Sequence, residues 1–324
     1  MNGKWWRAGI AVVLVVAVLL VFAFPKPATE PVRLVYLPAA QSLPLFVAME
    51  QGLFEKEGLG VELQRMENPN QIIDALVVGK ADAGFAIATG ISAVADTKKP
   101  GAIRFNSVFC GTGETERHND ALIVGVNSSI SSFADLRGKR LGIMPGIQWN
   151  TISRKILKEN GIAESEVTLV ELPISNHLAS LSSGGVDALL TIEPTVELGL
   201  SKGIAKIAVD TPTVKWVASP ICLGASGLSA EFARKRPAEA EKYLRAVDAA
   251  IRQVQTNSSV RQYLVRYLSL SEEVAQAVPL PVLYSRSEFS TDVVGAYQEF
   301  ADIFFEFNVT SVRPDARRLM LWTQ

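Results

Sequence analysis

The sequence predicts an α/β protein of two similar lobes that face one another across a cleft, and two observations carry that expectation. First, one stretch is written twice: Arg33-Leu34-Val35-Tyr36-Leu37-Pro38 returns as Arg140-Leu141-Gly142-Ile143-Met144-Pro145. The residues after each copy match as well. Gly52-Leu53-Phe54-Glu55-Lys56-Glu57-Gly58-Leu59 is answered by Leu157-Lys158-Glu159-Asn160-Gly161-Ile162, and Val61-Glu62-Leu63 by Val167-Thr168-Leu169. Ala75-Leu76-x-x-Gly79-x-x-Asp82-Ala83 is answered by Ser180-Leu181-x-x-Gly184-x-x-Asp187-Ala188. Second, strand-like runs alternate with helical runs of about ten residues, the pattern of a parallel sheet covered on both faces. A βαβ unit written twice builds two lobes, and facing lobes enclose a cleft.

The elements come in chain order. Residues 32–37 are alternating and β-branched and read as the first strand; Ser42 and Pro44 then open a helix that Gly52 closes. Strands at 61–66, 83–88 and 103–109 alternate with helices at 70–78 and 91–96. The polar stretch 111–120 reads as a loop, and 121–126 as a strand crossing into the second lobe. There, a helical turn at 133–136 precedes a strand at 140–144 and a helix at 151–160; strands at 167–172, 188–192 and 204–209 alternate with helices at 177–183 and 194–201. Residues 221–225 supply the return crossing. From Ala230 onward the pattern is helical, with Leu244, Val247, Ile251 and Val254 at helical spacing and an aromatic stripe through Tyr297, Phe300, Phe304 and Phe305. Such a stripe reads as core, buried against the first lobe's sheet. The expected division is a signal anchor and spacer at 1–30, a first lobe from 31–124 and 221–324, and a second lobe at 125–220.

Residues 8–24 form an uncharged apolar run behind Lys4 and Arg7, ended by Pro25. As a helix it reaches about 26 Å, close to the thickness of a bilayer's hydrocarbon core. It reads as a secretory signal or a membrane anchor with the N-terminus in the cytoplasm. No A-x-A pattern marks a cleavage point and no cysteine follows it, which favours an uncleaved anchor. The 324 residues carry 32 basic and 33 acidic side chains, a net charge of -1, so nothing points to a nucleic-acid partner. Arg234-Lys235-Arg236 reads as a solvated helix entrance. The two cysteines, Cys110 and Cys222, flank strand-like runs and fit either a disulfide between neighbouring strands or two buried thiols. With only two histidines, and no His/Cys pair at ligand spacing, neither a metal site nor a Cys/His nucleophile is expected.

Taken in order, the two copies, together with Leu136-x-Gly138-Lys139-Arg140-Leu141-Gly142-Ile143 and the run from Gly185-Val186-Asp187-Ala188 to Glu193-Pro194, resemble the periplasmic solute-binding proteins of ABC importers. The branch they are most similar to holds nitrate, sulfonate, taurine and thiamine-precursor binders. The resemblance spans about residues 32 to 320. It implies the type II arrangement of that fold: two Rossmann-like lobes joined by two crossing strands, closing on a ligand like a hinged clamp. It also implies a monomer on the extracytoplasmic face of the inner membrane, partnered by a permease and its ATPase, with no cofactor.

Each turn after a parallel strand sets a helix N-terminus at the carboxyl edge of the sheet, where free N–H groups attract an anion or polar acceptor. The turns at 38–42, 88–90, 145–151 and 192–195 therefore form the candidate site. Gln41, Gln148 and Asn150 bring amides that donate and accept. Ser42 and Thr151 read both as helix caps and as ligand hydroxyls. Thr89-Gly90 allows close backbone approach, and Trp149, in a polar turn, reads as an indole exposed for stacking on a ligand. Glu193 either points into the cleft, favouring a ligand with an amine, or caps the helix after Pro194. Asp82 and Asp187 read as structural, holding the turn between helix and strand.

Three functions fit: capture of a small polar organic solute for an importer; an enzyme on the same fold; a ligand sensor working through a partner. The pyrimidine synthases of the enzyme reading carry a cysteine-rich run and a sacrificial histidine that are missing here. A lyase would need a cleft base, for which Glu193 is the one visible residue. The reading reached is a binding protein, not an enzyme.

Overall fold

In the computed structural model the chain divides into Met1–Pro31 and a compact unit Val32–Gln324. The structure describes residues 30–113 and 120–321. The expected anchor at 8–24 lies outside the described residues, as does the middle of the polar loop, 114–119. Among the described residues no helix is long and apolar enough to cross a membrane.

The strands in chain order are β1 (Val32–Tyr36), β2 (Val61–Arg65), β3 (Ala83–Ala88), β4 (Ile103–Gly111), β5 (Asp120–Gly125), β6 (Arg140–Ile143), β7 (Thr168–Glu171), β8 (Ala188–Ile192), β9 (Ala205–Asp210), β10 (Ile221–Ser229) and β11 (Val282–Ser285). They form two sheets, β11-β4-β10-β3-β1-β2 and β7-β6-β8-β5-β9. The repeat is visible in both. β1 lies parallel between β2 and β3, and β6 lies parallel between β7 and β8. In each sheet a strand from the other side of a chain crossing then adds antiparallel: β10 on β3, and β5 on β8. β5 pairs with β8 and β9, so the chain passes from the first sheet to the second between Gly111 and Asp120.

The repeated arginine and aspartate explain themselves. Asp82 Oδ2 accepts from Arg33 N (2.9 Å) and Nε (3.1 Å), and Oδ1 accepts from its terminal nitrogen (2.7 Å). Asp187 repeats this with Arg140, at 2.8, 3.1 and 2.9 Å. Backbone bonds close each clasp, Asp82 N to Arg33 O and Asp187 N to Arg140 O, both 2.9 Å. A forked guanidinium on a carboxylate, backed by main-chain bonds, fixes the first strand of each repeat against its third. Both aspartates are structural, as the sequence reading has them.

The helices that matter for the site and the core are α1 (Leu43–Glu50), α2 (Pro69–Val77), α3 (Thr89–Lys98), α4 (Ile147–Glu159), α5 (His177–Ser182), α6 (Thr195–Ser201), α7 (Pro237–Thr256) and α8 (Thr291–Glu306). Tyr243, Leu244, Val247 and Ile251 of α7 bury against Leu34, Phe46 and Phe85 of the first lobe, as the periodicity predicts. The aromatic stripe of α8 is core too, but it serves both lobes. Tyr297, Phe300 and Phe304 share one apolar cluster with Val108 and Ala225 of the first sheet and with Trp149 and Ile152 of the second lobe. At the end of α8, Glu306 pairs with Lys155 (3.2 Å) and Lys158 (2.9 Å) of α4. The two lobes are thus shut onto one another.

Cys110 and Cys222 form a disulfide, settling the two readings the sequence left open. They are directly opposite on the antiparallel pair β4–β10. The remaining histidine among the described residues, His177, is fully buried. Its Nε2 lies 3.0 Å from the Leu172 carbonyl, which can only accept, so Nε2 carries the proton and Nδ1 accepts from the Thr191 hydroxyl at 2.8 Å. Burial pulls its pKa down to about 4, hydrogen bonds from the ring to backbone carbonyls opposing the shift only in part.

These contacts set two expectations. Asp82 is the better sheltered clasp carboxylate, its side chain 6% exposed against 31% for Asp187, and Arg236 also approaches it at 3.6 Å. Asp82→Ala is therefore expected to cost about 2–3 kcal/mol in urea unfolding, and Asp187→Ala about 1 kcal/mol. For His177 the folded pKa lies below the unfolded value of about 6.5, so stability is fully present above that pH and declines as the pH falls toward 4. The loss amounts to about 3 kcal/mol, and the pH slope of wild type minus that of His177→Gln isolates it.

Candidate functional site

The turns after β1, β3, β6 and β8 meet where the two sheets' carboxyl edges face each other. Leu37, Gln41, Gln148, Trp149, Ile192 and Leu223 line what remains between them, a void of about 20 Å³, which is room for roughly one water. The candidate residues lie in these turns, but the backbone uses several of them differently than the sequence reading expects.

α4 begins at Ile147, not at Thr151. Its N-cap is Gly146, at φ +104°, in a region that favours glycine; a Cβ there would also stand 2.6 Å from Asn70 of the opposite lobe. Starting the helix early turns Trp149 inward. It is 2% exposed, a wall of the void and part of the core that joins the lobes, which corrects the expectation of an exposed indole. Thr151 is buried inside the first turns of α4 and so is no N-cap, while Asn150 stays partly exposed. Ser42 does precede α1, but its hydroxyl donates back to Leu37 O at 2.7 Å and holds the turn after β1. Thr89 donates to Cys222 O at 2.6 Å, binding the start of α3 to β10. Glu193 Oε2 accepts from Glu197 N at 3.1 Å, within the first turn of α6.

Gln148 makes the contact that spans the cleft. From α4 of the second lobe its Oε1 accepts from Gly90 N at 2.8 Å, and its Nε2 donates to Leu223 O at 3.1 Å; both partners belong to the first lobe. Gly90 must be bare for this. A Cβ would sit 2.3 Å from Phe304 Cζ of α8 and 3.0 Å from Gln148 Oε1. Gly224, beside Leu223, is bare for a similar reason, since a Cβ would meet Gln41 Oε1 at 2.5 Å.

Residues that the sequence reading does not single out also face the candidate site. Leu223 lies where the register of β10 against β4 shifts, between Cys222 and Gly224, and its carbonyl accepts from Gln148 at the cleft. Ala86, at φ +52°, lies where β3 gains a residue relative to β10, and also lines the void. Neither bulge has a signature in residue type. Asn70 of α2 faces Gly146, and its Oδ1 is buried with no hydrogen-bond partner among the described residues. A wider groove of about 240 Å³ lies alongside, between Pro38, Arg65 and Leu268 on one side and Leu178, Leu198 and Lys202 on the other. Among the described residues no group of three or more His, Cys, Asp or Glu side chains is placed to hold a metal.

Two sheets built from one repeated unit, joined by two crossings and closed over a polar contact between their carboxyl edges, define the fold of periplasmic binding proteins. The chain belongs to the NMT1-like family, whose model matches residues 25–269. It is similar to a putative aliphatic sulfonates-binding protein of Escherichia coli, 22% identical over 325 residues that cover 96% of this chain and 94% of that protein. A 4-amino-5-hydroxymethyl-2-methylpyrimidine phosphate synthase of Saccharomyces cerevisiae is 23% identical over 222 residues, 66% of this chain. The match spans 63% of that synthase, less than two thirds of its length. In structure the chain resembles the alkanesulfonate-binding protein of Xanthomonas axonopodis pv. citri bound to MOPS, with a TM-score of 0.75 at 18% identity, covering 92% of this chain and 100% of that one.

The crowding around Gly90 gives a double-mutant test. Gly90→Ala is expected to lose about 1–3 kcal/mol in urea unfolding, because the Phe304 ring must move. In Gly90→Ala/Phe304→Leu the ring is gone, and the combined loss is expected to be smaller than the sum of the single losses.

Proposed function

We propose that the chain is the extracytoplasmic solute-binding component of an ABC-type importer, holding a small polar organic solute between its lobes and handing it to a permease with its ATPase. The observation that carries this reading is the contact of Gln148 with Gly90 and Leu223: each lobe contributes polar groups at the carboxyl edge of its sheet, so the site is complete only when the lobes close. Nothing in this arrangement requires a reaction. The sulfonate-binding and alkanesulfonate-binding relatives support a solute of that general size and polarity, drawn from sulfonates, nitrate-like anions or pyrimidines. Gln41, Ser42, Thr89, Gly90, Gln148, Trp149, Asn150, Thr151 and Glu193 remain the residues proposed to surround it. The lobes are proposed to part by bending at the crossings, with residues 8–24 tethering a monomer to the outer face of the inner membrane.

The yeast synthase favours a second reading, an enzyme on the same fold. It would need a cleft base, and Glu193, the carboxylate nearest to that role, accepts from its own helix. Turnover abolished by Glu193→Gln with binding intact would decide for it.

The binding reading is tested by titrating the purified full chain, in mild detergent, with a panel of sulfonates, nitrate and pyrimidines while following tryptophan fluorescence. A saturable change with one class is expected, reduced in Trp149→Phe although calorimetry still detects binding. Silence across the panel in both measurements would sink the reading.

A further inference from the structure

The groups that would read a solute are already occupied. Gly90 N–H, in the first turn of α3, and Leu223 C=O, at the register shift of β10, are both taken by one carboxamide, that of Gln148, which is 3% exposed. The void left beside it, about 20 Å³, is too small for any organic solute. A solute that reaches this donor and acceptor must displace the Gln148 side chain.

We infer that Gln148 is an internal stand-in for the solute, and that the Gly90 N–H and Leu223 C=O pair selects a neutral planar group with an acceptor and a donor side by side. A primary carboxamide, a lactam or an amino-substituted nitrogen heterocycle presents that edge. An oxyanion does not. Sulfonate or nitrate can accept from Gly90 N–H, but carries only lone pairs toward the Leu223 carbonyl, leaving that buried acceptor unpaired and facing negative charge. The backbone groups cannot rotate to suit it, because Gly90 is pinned under Phe304 and Leu223 lies between Cys222, in the disulfide, and Gly224, packed on Gln41. The preference is therefore built into main chain rather than into an exchangeable side chain. The inference rests on the solute-binding reading and narrows its ligand class.

Displacement also sets affinity. While Gln148 fills the pair, only the fraction of molecules in which it has swung away can bind, so apparent affinity falls by that fraction. Removing the side chain removes the competition. The β-carbon that Gln148→Ala leaves can neither accept from Gly90 nor donate to Leu223.

The test uses the full chain as wild type, Gln148→Ala and Gln148→Leu, the last keeping bulk without the amide. The probes are benzamide, cytosine, benzenesulfonate, methanesulfonate and nitrate, followed by calorimetry. In wild type, benzamide is expected to bind at least about tenfold more tightly than benzenesulfonate, its oxyanion counterpart. In Gln148→Ala, affinity for the amide-edged probe that binds wild type is expected to rise about tenfold, with the oxyanions unimproved. Either variant, free of ligand, is expected to show a larger radius of gyration in solution scattering, because the amide bridge between lobes is lost. Benzenesulfonate binding as tightly as benzamide, or Gln148→Ala weakening every probe that wild type holds, would overturn the inference while leaving solute binding intact. If none of the five probes binds wild type or either folded variant, the inference fails; the solute-binding reading fails with it only when the broader panel is silent as well.

Discussion

Asp82 and Asp187 each gather the backbone N–H and the guanidinium of an arginine at or next to the start of the first strand of their repeat. Much of the molecule depends on that clasp. It sets the third strand of each repeat in register against the first, and so brings the ends of those strands, and the turns that follow them, side by side. Because the same clasp occurs in both lobes, the same edge is built twice, and two such edges can face each other. A carboxylate that satisfies a main-chain donor and a forked cation at once is strong where an exposed ion pair is weak.

The sheets were legible for this reason. The clasp residues, the strand patterns and the closing glycines are local and repeat in the chain, so β1 to β3 and β6 to β8 could be placed from sequence. The crossing at 221–225 and the core stripe of α8 were legible too. The point where the chain changes sheets was less so, because Ala121 to Val124 are apolar enough for either sheet and only pairing decides between them. In the site, the turns were legible and the directions of side chains were not. Whether Trp149 faces solvent or core depends on where α4 begins, and that depends on the backbone at Gly146. Ser42 and Thr89 carry hydroxyls that suit a ligand equally well, yet they bond carbonyls of their own chain, at Leu37 and Cys222.

The bulges at Ala86 and Leu223 belong to a different class. They arise from register shifts between β10 and its neighbours, a property of paired strands that no single stretch of sequence holds. Both fall on the cleft, where β3 and β10 end against the second lobe. The Leu223 carbonyl, at one of these shifts, accepts from Gln148 across the cleft. Both irregular positions of the first sheet thus line the void between the lobes.

The Cys110–Cys222 bond has a topological meaning as well. Its partners are 112 positions apart, and everything between them is the second lobe with its two connections. The lobe is therefore part of a covalent loop closed at the first sheet. Were it to unfold, its two ends would stay together, and the chain entropy spared by a ring of that size is on the order of 4–5 kcal/mol. The same tie fixes the spacing of the two exits, so both connections to the second lobe leave the first sheet from neighbouring positions on β4 and β10 that cannot drift apart.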